Sequence, residues 1–175
     1  EGPVAPVHSY GIAKLCAENY INYYKNIHGF KANIARYGNI YGPRQPIYGE
    51  VGVIAIFADK IEKEQPLPVY GDGEHIRDFL FIEDAVEATI ALFNHTEMDT
   101  FNVASGKGVS VNQIFSQMEK CAPQPLKRIN QAERVGEFRE FYSDISKISE
   151  KVGWHPKIDL AEGIALTLDN SPSKK

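Results

Sequence analysis

The sequence has few cysteines and no long apolar run, and each shortage narrows the class of protein it can encode. Its 175 residues include two cysteines, Cys16 and Cys121, which lie far apart and have no CxxC partner. Neither a disulfide framework nor a metal site is therefore predicted, which is typical of a protein from the reducing cytoplasm. Because no apolar run approaches 18 residues, we predict no membrane span.

Blocks of basic residues are also missing. The formal net charge is −4, and no stretch has enough lysine or arginine to follow a phosphate backbone. Nucleic acid is therefore not an expected partner. A small anionic ligand needs only a few placed arginines, and each of the six arginines can be considered singly.

Apolar periodicity alternates along the chain between the helical period and the extended period. Strands alternating with helices predict an α/β class with some parallel pairing. Residues 38–48 are rich in glycine and proline and are predicted to form a loop. Helices are predicted at 9–26, 51–63, 83–94, 145–151 and 160–168, and a further helix is predicted to run from a cap at Ser110 or Asn112 to about residue 120. Gly29 and Gly153 are expected to end the helices that precede them. Strands are predicted at 31–37, 67–70, 77–81, 100–103, 126–129 and 141–142.

The first predicted helix carries Tyr10 and Lys14, four residues apart and therefore on one face. A free phenol has a pKa near 10 and is a poor base at neutral pH. A nearby ammonium favours the phenolate, which makes a tyrosine usable for proton transfer. The pair alone leaves a second interpretation open, a surface lysine beside a half-buried tyrosine. Cys16 is expected on the buried, apolar side of the same helix.

Three further stretches offer side chains that suit an anion or a flat ring. Asn39 follows a predicted buried strand and has both donors and an acceptor, although it could equally be a turn residue. Tyr70 could stack on a ring and Arg77 could hold a diphosphate in a forked contact. A surface hairpin with an Arg77–Asp78 ion pair is the alternative there. Arg134 is a second candidate for the diphosphate, with a solvated charge as its alternative.

In chain order the sequence contains the motifs YxxxK, RYGNIYGPRQ, VYGDGEHIRDF, FNVASG, RVGEF and GWHPK. Together these motifs resemble the carboxyl-terminal half of the extended short-chain dehydrogenase/reductases. The sequence is most similar to their NAD-dependent nucleotide-sugar epimerases and dehydratases, typified by UDP-glucose 4-epimerase. The resemblance implies part of a Rossmann-type fold with a small substrate-binding α/β subdomain. It divides the chain into the end of the NAD-binding domain (1–45), a nucleotide-sugar-binding region (46–170) and a disordered tail (171–175).

The resemblance also implies a role for each matched residue. Tyr10 would be the catalytic tyrosine, and Lys14 would hold the nicotinamide ribose and activate Tyr10. The backbone at Tyr37 would meet the nicotinamide amide. The other matched positions would bind the nucleotide sugar: the diphosphate by Asn39, Arg77 and Arg134, the nucleotide by Gly52, Val53, Tyr70 and Glu137, and the sugar beside Phe141.

The activity that this resemblance implies is 4-epimerisation of a nucleotide sugar through transient oxidation at C4. A 4,6-dehydratase, a decarboxylase and a non-catalytic nucleotide-sugar-binding module remain as alternatives. A glycine-rich dinucleotide turn is absent from the sequence. We therefore expect the chain to belong to a longer enzyme, to bind NAD weakly and to be inactive alone. The expected partners are a nucleotide-diphosphate sugar and either a second copy or the missing amino-terminal half, which would cover exposed apolar surface.

Overall fold

A computed structural model describes residues 4–49, 51–134, 136 and 138–170. Strands and helices alternate along most of the chain, which confirms the predicted α/β class. The helices are α1 (Ser9–His28), α2 (Val53–Glu62), α3 (Ile82–Asn94), α4 (Val111–Cys121), α5 (Ser146–Val152) and α6 (Leu160–Asp169). The strands are β1 (Ile34–Tyr37), β2 (Asn39–Tyr41), β3 (Leu67–Tyr70), β4 (Ile76–Phe81), β5 (Thr100–Val103), β6 (Gly108–Ser110) and β7 (Arg128–Gln131).

In the described part of the chain the strands form three small sheets, and three of their four strand pairs are parallel, which agrees with the prediction of some parallel pairing. β1 pairs with β5, and β3 pairs with β7, both in parallel. In the third sheet, β4 lies between β2, which is parallel to it, and β6, which is antiparallel. The chain passes from the first sheet to the third at Gly38, whose N–H donates to Val103 O at 2.9 Å. A Cβ at this position would lie 3.0 Å from Asp78 O, so the crossing leaves little room for a side chain.

Two apolar cores hold these sheets, and β4 contributes to both. Phe79 and Phe81 enter the first core, which α2, α4 and α6 cover. Leu80 points the other way into the second core, which α3 and α5 cover. This alternation follows from the period of two along a strand. Each fully buried side chain of this size contributes roughly 1.5–3 kcal/mol to the free energy of unfolding.

Several helix ends match the sequence prediction. Gly29 and Gly153 adopt left-handed conformations, with φ of 64° and 73°, and end α1 and α5. Ser110 begins α4 in a capping box: its Oγ accepts from Gln113 N at 3.2 Å, and Gln113 Oε1 accepts from Ser110 N at 2.7 Å.

Other predictions are wrong. The predicted loop 38–48 contains β2, and the predicted strand 141–142 is irregular, with Phe141 N donating to Ile76 O at 3.1 Å. Cys16 is exposed, because α1 has no buried residue among those described. The predicted tail 171–175 lies outside the described residues. None of the described helices combines the length and apolar character that crossing a bilayer requires.

Candidate functional site

A narrow cavity of about 110 Å³ lies between α2 and β3, and we call it the apolar slot. Tyr70 stands at the carboxyl end of β3, and the Arg134 guanidinium carbon lies 4.0 Å from the centroid of its ring. A slot with aliphatic walls and an aromatic face suits a flat heterocyclic ring. The slot is lined by Val51, Val53, Ile56, Phe57, Pro68, Tyr70, His75, Val111 and Arg134.

His75 is a polar member of this mostly apolar lining, and the sequence analysis did not single it out. Its side chain is 11% exposed, and Nε2 lies 3.6 Å from Glu133 Oε1. An imidazole at this place can offer a hydrogen bond to the edge of a ring bound in the slot. Its position between Gly73 and Arg77, inside the motif already identified, was the signal that could have found it.

Tyr10 and Lys14 lie at the start of α1, with Lys14 Nζ 5.3 Å from the centroid of the Tyr10 ring. Tyr10 as a whole residue is 62% exposed. His8, just before the helix, packs its ring edge-on against Phe138 with centroids 5.7 Å apart. The start of α1 therefore contacts the segment that follows Arg134.

A forked ion pair joins α1 to the first sheet. Arg36 on β1 donates from Nε to Glu18 Oε1 at 2.8 Å and from Nη2 to Glu18 Oε2 at 2.5 Å. Lys25 adds a bond from Nζ to Met98 O at 3.2 Å. Since the helix buries none of its described side chains, these polar contacts have a large share in setting its position.

A second cavity, of about 430 Å³, lies at the carboxyl end of β1 and is lined in part by Tyr37, Asn102, Phe141 and Ser143. It brings together Tyr37 and Phe141, two of the residues that the resemblance assigned to the nicotinamide and sugar ends of the site. The Tyr37 hydroxyl lies 2.6 Å from Thr89 Oγ1 on α3.

Asp78 organises the segment beside this second cavity. Its carboxylate is fully buried and accepts hydrogen bonds from Ser105 N at 2.7 Å, Ser105 Oγ at 2.6 Å, Gly106 N at 3.0 Å and Ser143 N at 3.2 Å. Four donors satisfy the buried charge. Such burial excludes the surface ion pair with Arg77 considered above. Arg77 donates from Nη1 to Ile76 O at 2.8 Å.

A second forked ion pair fixes the turn that follows Tyr70. Arg139 binds Asp72 through Nη1 at 2.8 Å and Nη2 at 2.6 Å. The Arg139 guanidinium, helped by the Glu74 backbone N–H, holds the pKa of the Asp72 carboxyl well below its ordinary value of 3.8. This contact ties the turn to the segment that carries Phe138, and sequence reasoning did not identify Arg139.

The remaining site predictions are placed as follows. Gly52 precedes α2 as its N-cap residue, and Val53 begins that helix on the wall of the slot. Asn39 is exposed at the start of β2. Neither Asn39 nor Arg77 belongs to the described lining of the two cavities. Glu137 lies outside the described residues.

Comparison with known proteins places the chain in one family. The family model described as GDP-mannose 4,6 dehydratase matches residues 1–167. A protein of Methanocaldococcus jannaschii, provisionally named UDP-glucose 4-epimerase, is 39% identical over 162 residues, which are 93% of this chain and 52% of that protein.

Solved structures agree with this assignment. The Thermotoga maritima UDP-glucose 4-epimerase with UDP-glucose matches with a TM-score of 0.91 at 36% identity, over 95% of this chain and 54% of that one. The Thermus thermophilus UDP-glucose 4-epimerase in complex with NAD gives 0.87 at 32%, with the same coverage. NAD is thus a cofactor of the family, and this chain spans about half the length of the relatives it matches. The chain belongs to the GDP-mannose 4,6 dehydratase family of extended short-chain dehydrogenase/reductases, and it forms the carboxyl-terminal part of their Rossmann-type fold.

Proposed function

We propose that this chain is the substrate-binding part of an NAD-dependent nucleotide-sugar 4-epimerase of the UDP-glucose type. The contact between His8 and Phe138 carries the proposal. Through it, the start of α1 with Tyr10 and Lys14 meets the segment that continues from Arg134. A proton-transfer pair and a slot for a flat ring then open toward one substrate.

In this proposal the apolar slot holds the nucleobase against Tyr70, with Val53 and Gly52 at the start of α2. Stacking of a base on the covered face of Tyr70 requires the Arg134 guanidinium to leave that face. Arg134 would then bind the diphosphate in a forked contact. Asn39 and Arg77 would complete the diphosphate site, Glu137 would bind the ribose, and Phe141 would border the sugar.

The residues present fit the nicotinamide end of NAD, because Tyr10 is an exposed residue and Tyr37 lines the second cavity together with Phe141. Bound NAD supplies the reversible removal of a hydride from sugar C4. Tyr10 removes the proton of the sugar 4-hydroxyl and later returns it, while the Lys14 ammonium beside the ring favours the phenolate. The arginines hold the diphosphate while the sugar turns over, so that the opposite face of C4 is presented on return.

The division of the chain follows from the same proposal. Residues 1–45 end the NAD-binding domain, and residues 46–170 bind mainly the nucleotide sugar. The chain alone is catalytically inactive, because the sequence contains no glycine-rich turn for the NAD diphosphate. Apolar side chains exposed along α1 suit a covering partner, either a second copy or the amino-terminal half: Ile12, Tyr20, Tyr23, Tyr24 and Ile27.

Two measurements test the proposal. In the full-length enzyme, Tyr10→Phe should abolish conversion of UDP-glucose to UDP-galactose while leaving UDP-glucose binding near normal. Retained turnover would remove Tyr10 from its role. Titration calorimetry of UDP into the 175-residue chain should show binding without NAD, and failure to bind would contradict the nucleotide site.

A 4,6-dehydratase is the second candidate, because that is the activity in the description of the matching family model. Formation of a 4-keto-6-deoxy product instead of UDP-galactose would favour it. Binding of the nucleotide sugar without any turnover by the full-length protein would favour a non-catalytic module.

A further inference from the structure

Tyr10, Lys14 and Glu18 follow one another at four-residue intervals on α1 and therefore share a face of the helix. Glu18 is about 12 Å from Tyr10 along the helix axis. Its carboxylate is held by Arg36 through two hydrogen bonds of 2.8 and 2.5 Å. The two side chains are 28% (Arg36) and 16% (Glu18) exposed, so the pair is partly withdrawn from water.

The spacing of Lys14 and Glu18 also allows a direct ion pair between them, because oppositely charged residues four apart on a helix are neighbours. Such a pair would draw the Lys14 ammonium one turn along the helix, away from Tyr10. In the structure, Lys14 Nζ instead lies 5.3 Å from the centroid of the Tyr10 ring, while Glu18 is bound to Arg36. Glu18 thus holds Arg36 in the same structure in which Lys14 lies beside Tyr10.

We propose that Arg36 is a positioning residue for the Tyr10–Lys14 pair. By holding the Glu18 carboxylate in a forked contact, it keeps that carboxylate from Lys14 and leaves the ammonium beside the phenol. Arginine suits this role, because its planar fork matches both carboxylate oxygens and its charge persists at every physiological pH.

Several other charged and titratable groups in the described part of the chain have partners of their own. Across the cavity beside Arg36, Lys147 Nζ lies 2.9 Å from Asp99 Oδ2, and Asp144 accepts from Ser146 N at 2.8 Å. His8, which precedes the helix, packs against Phe138. Arg139 is held by Asp72. Glu18 is thus the carboxylate that α1 itself places one turn from Lys14.

The inference rests on the proposed role of Tyr10, but its test does not need turnover. The 175-residue chain is labelled with ¹³Cζ-tyrosine, the Tyr10 signal is assigned with Tyr10→Phe, and its pH midpoint is measured by NMR. Arg36→Met should move the midpoint upward by about 0.3 pH unit, the size expected of a helical ion pair. Glu18→Gln should not raise it, and the double variant E18Q/R36M should return to the E18Q value. Arg36→Lys, which keeps a cation, should stay near the unaltered chain.

Two further comparisons separate this role from two alternatives. In the first alternative, called a mechanical tie, the Arg36–Glu18 pair only holds α1 in place; in the second, the charge of Arg36 acts on Tyr10 directly over a distance. A mechanical tie would make R36M and E18Q shift the midpoint alike, which would overturn the proposal. In a Lys14→Met background, adding R36M should no longer raise the midpoint; an undiminished rise there would equally overturn it. Circular dichroism checks that each variant folds, and Arg36→Gln replaces R36M if that variant does not. If the full-length enzyme showed no epimerase activity, the proposed function would fail while these titrations still decided the role of Arg36.

Discussion

The Arg134 guanidinium covers one face of the Tyr70 ring at 4.0 Å, inside the slot proposed for the nucleobase. Two residues expected to bind different parts of a ligand thus contact each other. A cation over an aromatic face is worth roughly 0.5–2 kcal/mol. In the proposed function, a nucleotide that displaces Arg134 would have to compensate for the loss of this contact, and a new bond from Arg134 to the diphosphate would do so.

Arg134→Ala should therefore separate the binding of UDP from the binding of uridine. UDP affinity should fall by about 10- to 100-fold with the loss of charge-assisted hydrogen bonds. Uridine affinity should stay the same or rise, because the Tyr70 face is uncovered. Calorimetry with both ligands measures the two effects. The matched control is Arg128→Ala, which removes an exposed arginine that lies on β7. An equal loss for uridine and UDP would contradict a diphosphate role.

Asp78→Asn should destabilise the whole fold. The buried carboxylate accepts four hydrogen bonds, and an amide offers one acceptor oxygen in place of two. The free energy of unfolding should fall by about 2–3 kcal/mol, measured by urea denaturation. Ser105→Ala removes one of the four bonds and should cost about 1 kcal/mol. If Asp78→Asn lowered the free energy of unfolding by no more than Ser105→Ala does, the four hydrogen bonds would not act together.

The Asp72–Arg139 pair should stabilise the fold at neutral pH and stop doing so in acid. Arg139 lowers the pKa of the Asp72 carboxyl below 3.8, so its contribution is complete above the unfolded value and is lost as the pH falls through the folded value. Between pH 7 and pH 2, the urea midpoint of Asp72→Asn should consequently fall less than that of the unaltered chain. Glu119→Gln on the exposed surface of α4 serves as the control. An identical acid dependence in the Asp72 variant would contradict the assignment.

The 175-residue chain should associate in solution. The exposed aromatic residues Tyr20, Tyr23 and Tyr24 lie along α1, and Phe93 on α3 is 88% exposed. Light scattering should therefore give a mass above 19.6 kDa at micromolar concentration. Replacing Tyr20 and Tyr24 by serine should shift the mass toward the monomer, while Lys120→Ser on α4 should not. A stable monomer for the unaltered chain would contradict this expectation.

Local signals predicted much of the fold. The helix ends at Gly29 and Gly153 depend on the backbone conformation of one residue and its nearest neighbours, and the sequence predicted both. For the start of α4 the sequence left Ser110 and Asn112 as alternatives, and Ser110 is the cap. The Tyr10–Lys14 contact follows from helical spacing alone. The family resemblance supplied the placement of Tyr70 and Val53 around one slot, which no local pattern contains.

The wrong predictions share one physical cause: each depends on contacts with residues that are far away in the sequence. β2 forms in a stretch of loop-like composition because β4 provides its hydrogen bonds. Asp78 looked like a surface charge next to Arg77, but residues 105, 106 and 143 supply its donors. Cys16 follows the apolar period of its helix, yet the structure leaves it exposed. Local sequence patterns do not contain such contacts, because tertiary structure brings the residues together.

Because β4 sends Phe79 and Phe81 into one core and Leu80 into the other, neither core can loosen without disturbing the strand they share. The two cores are thereby joined into one cooperative unit, although different functions are proposed for the parts of the chain around them. Heating should melt them in a single transition, and a ligand that steadies one region also delays the melting of the other.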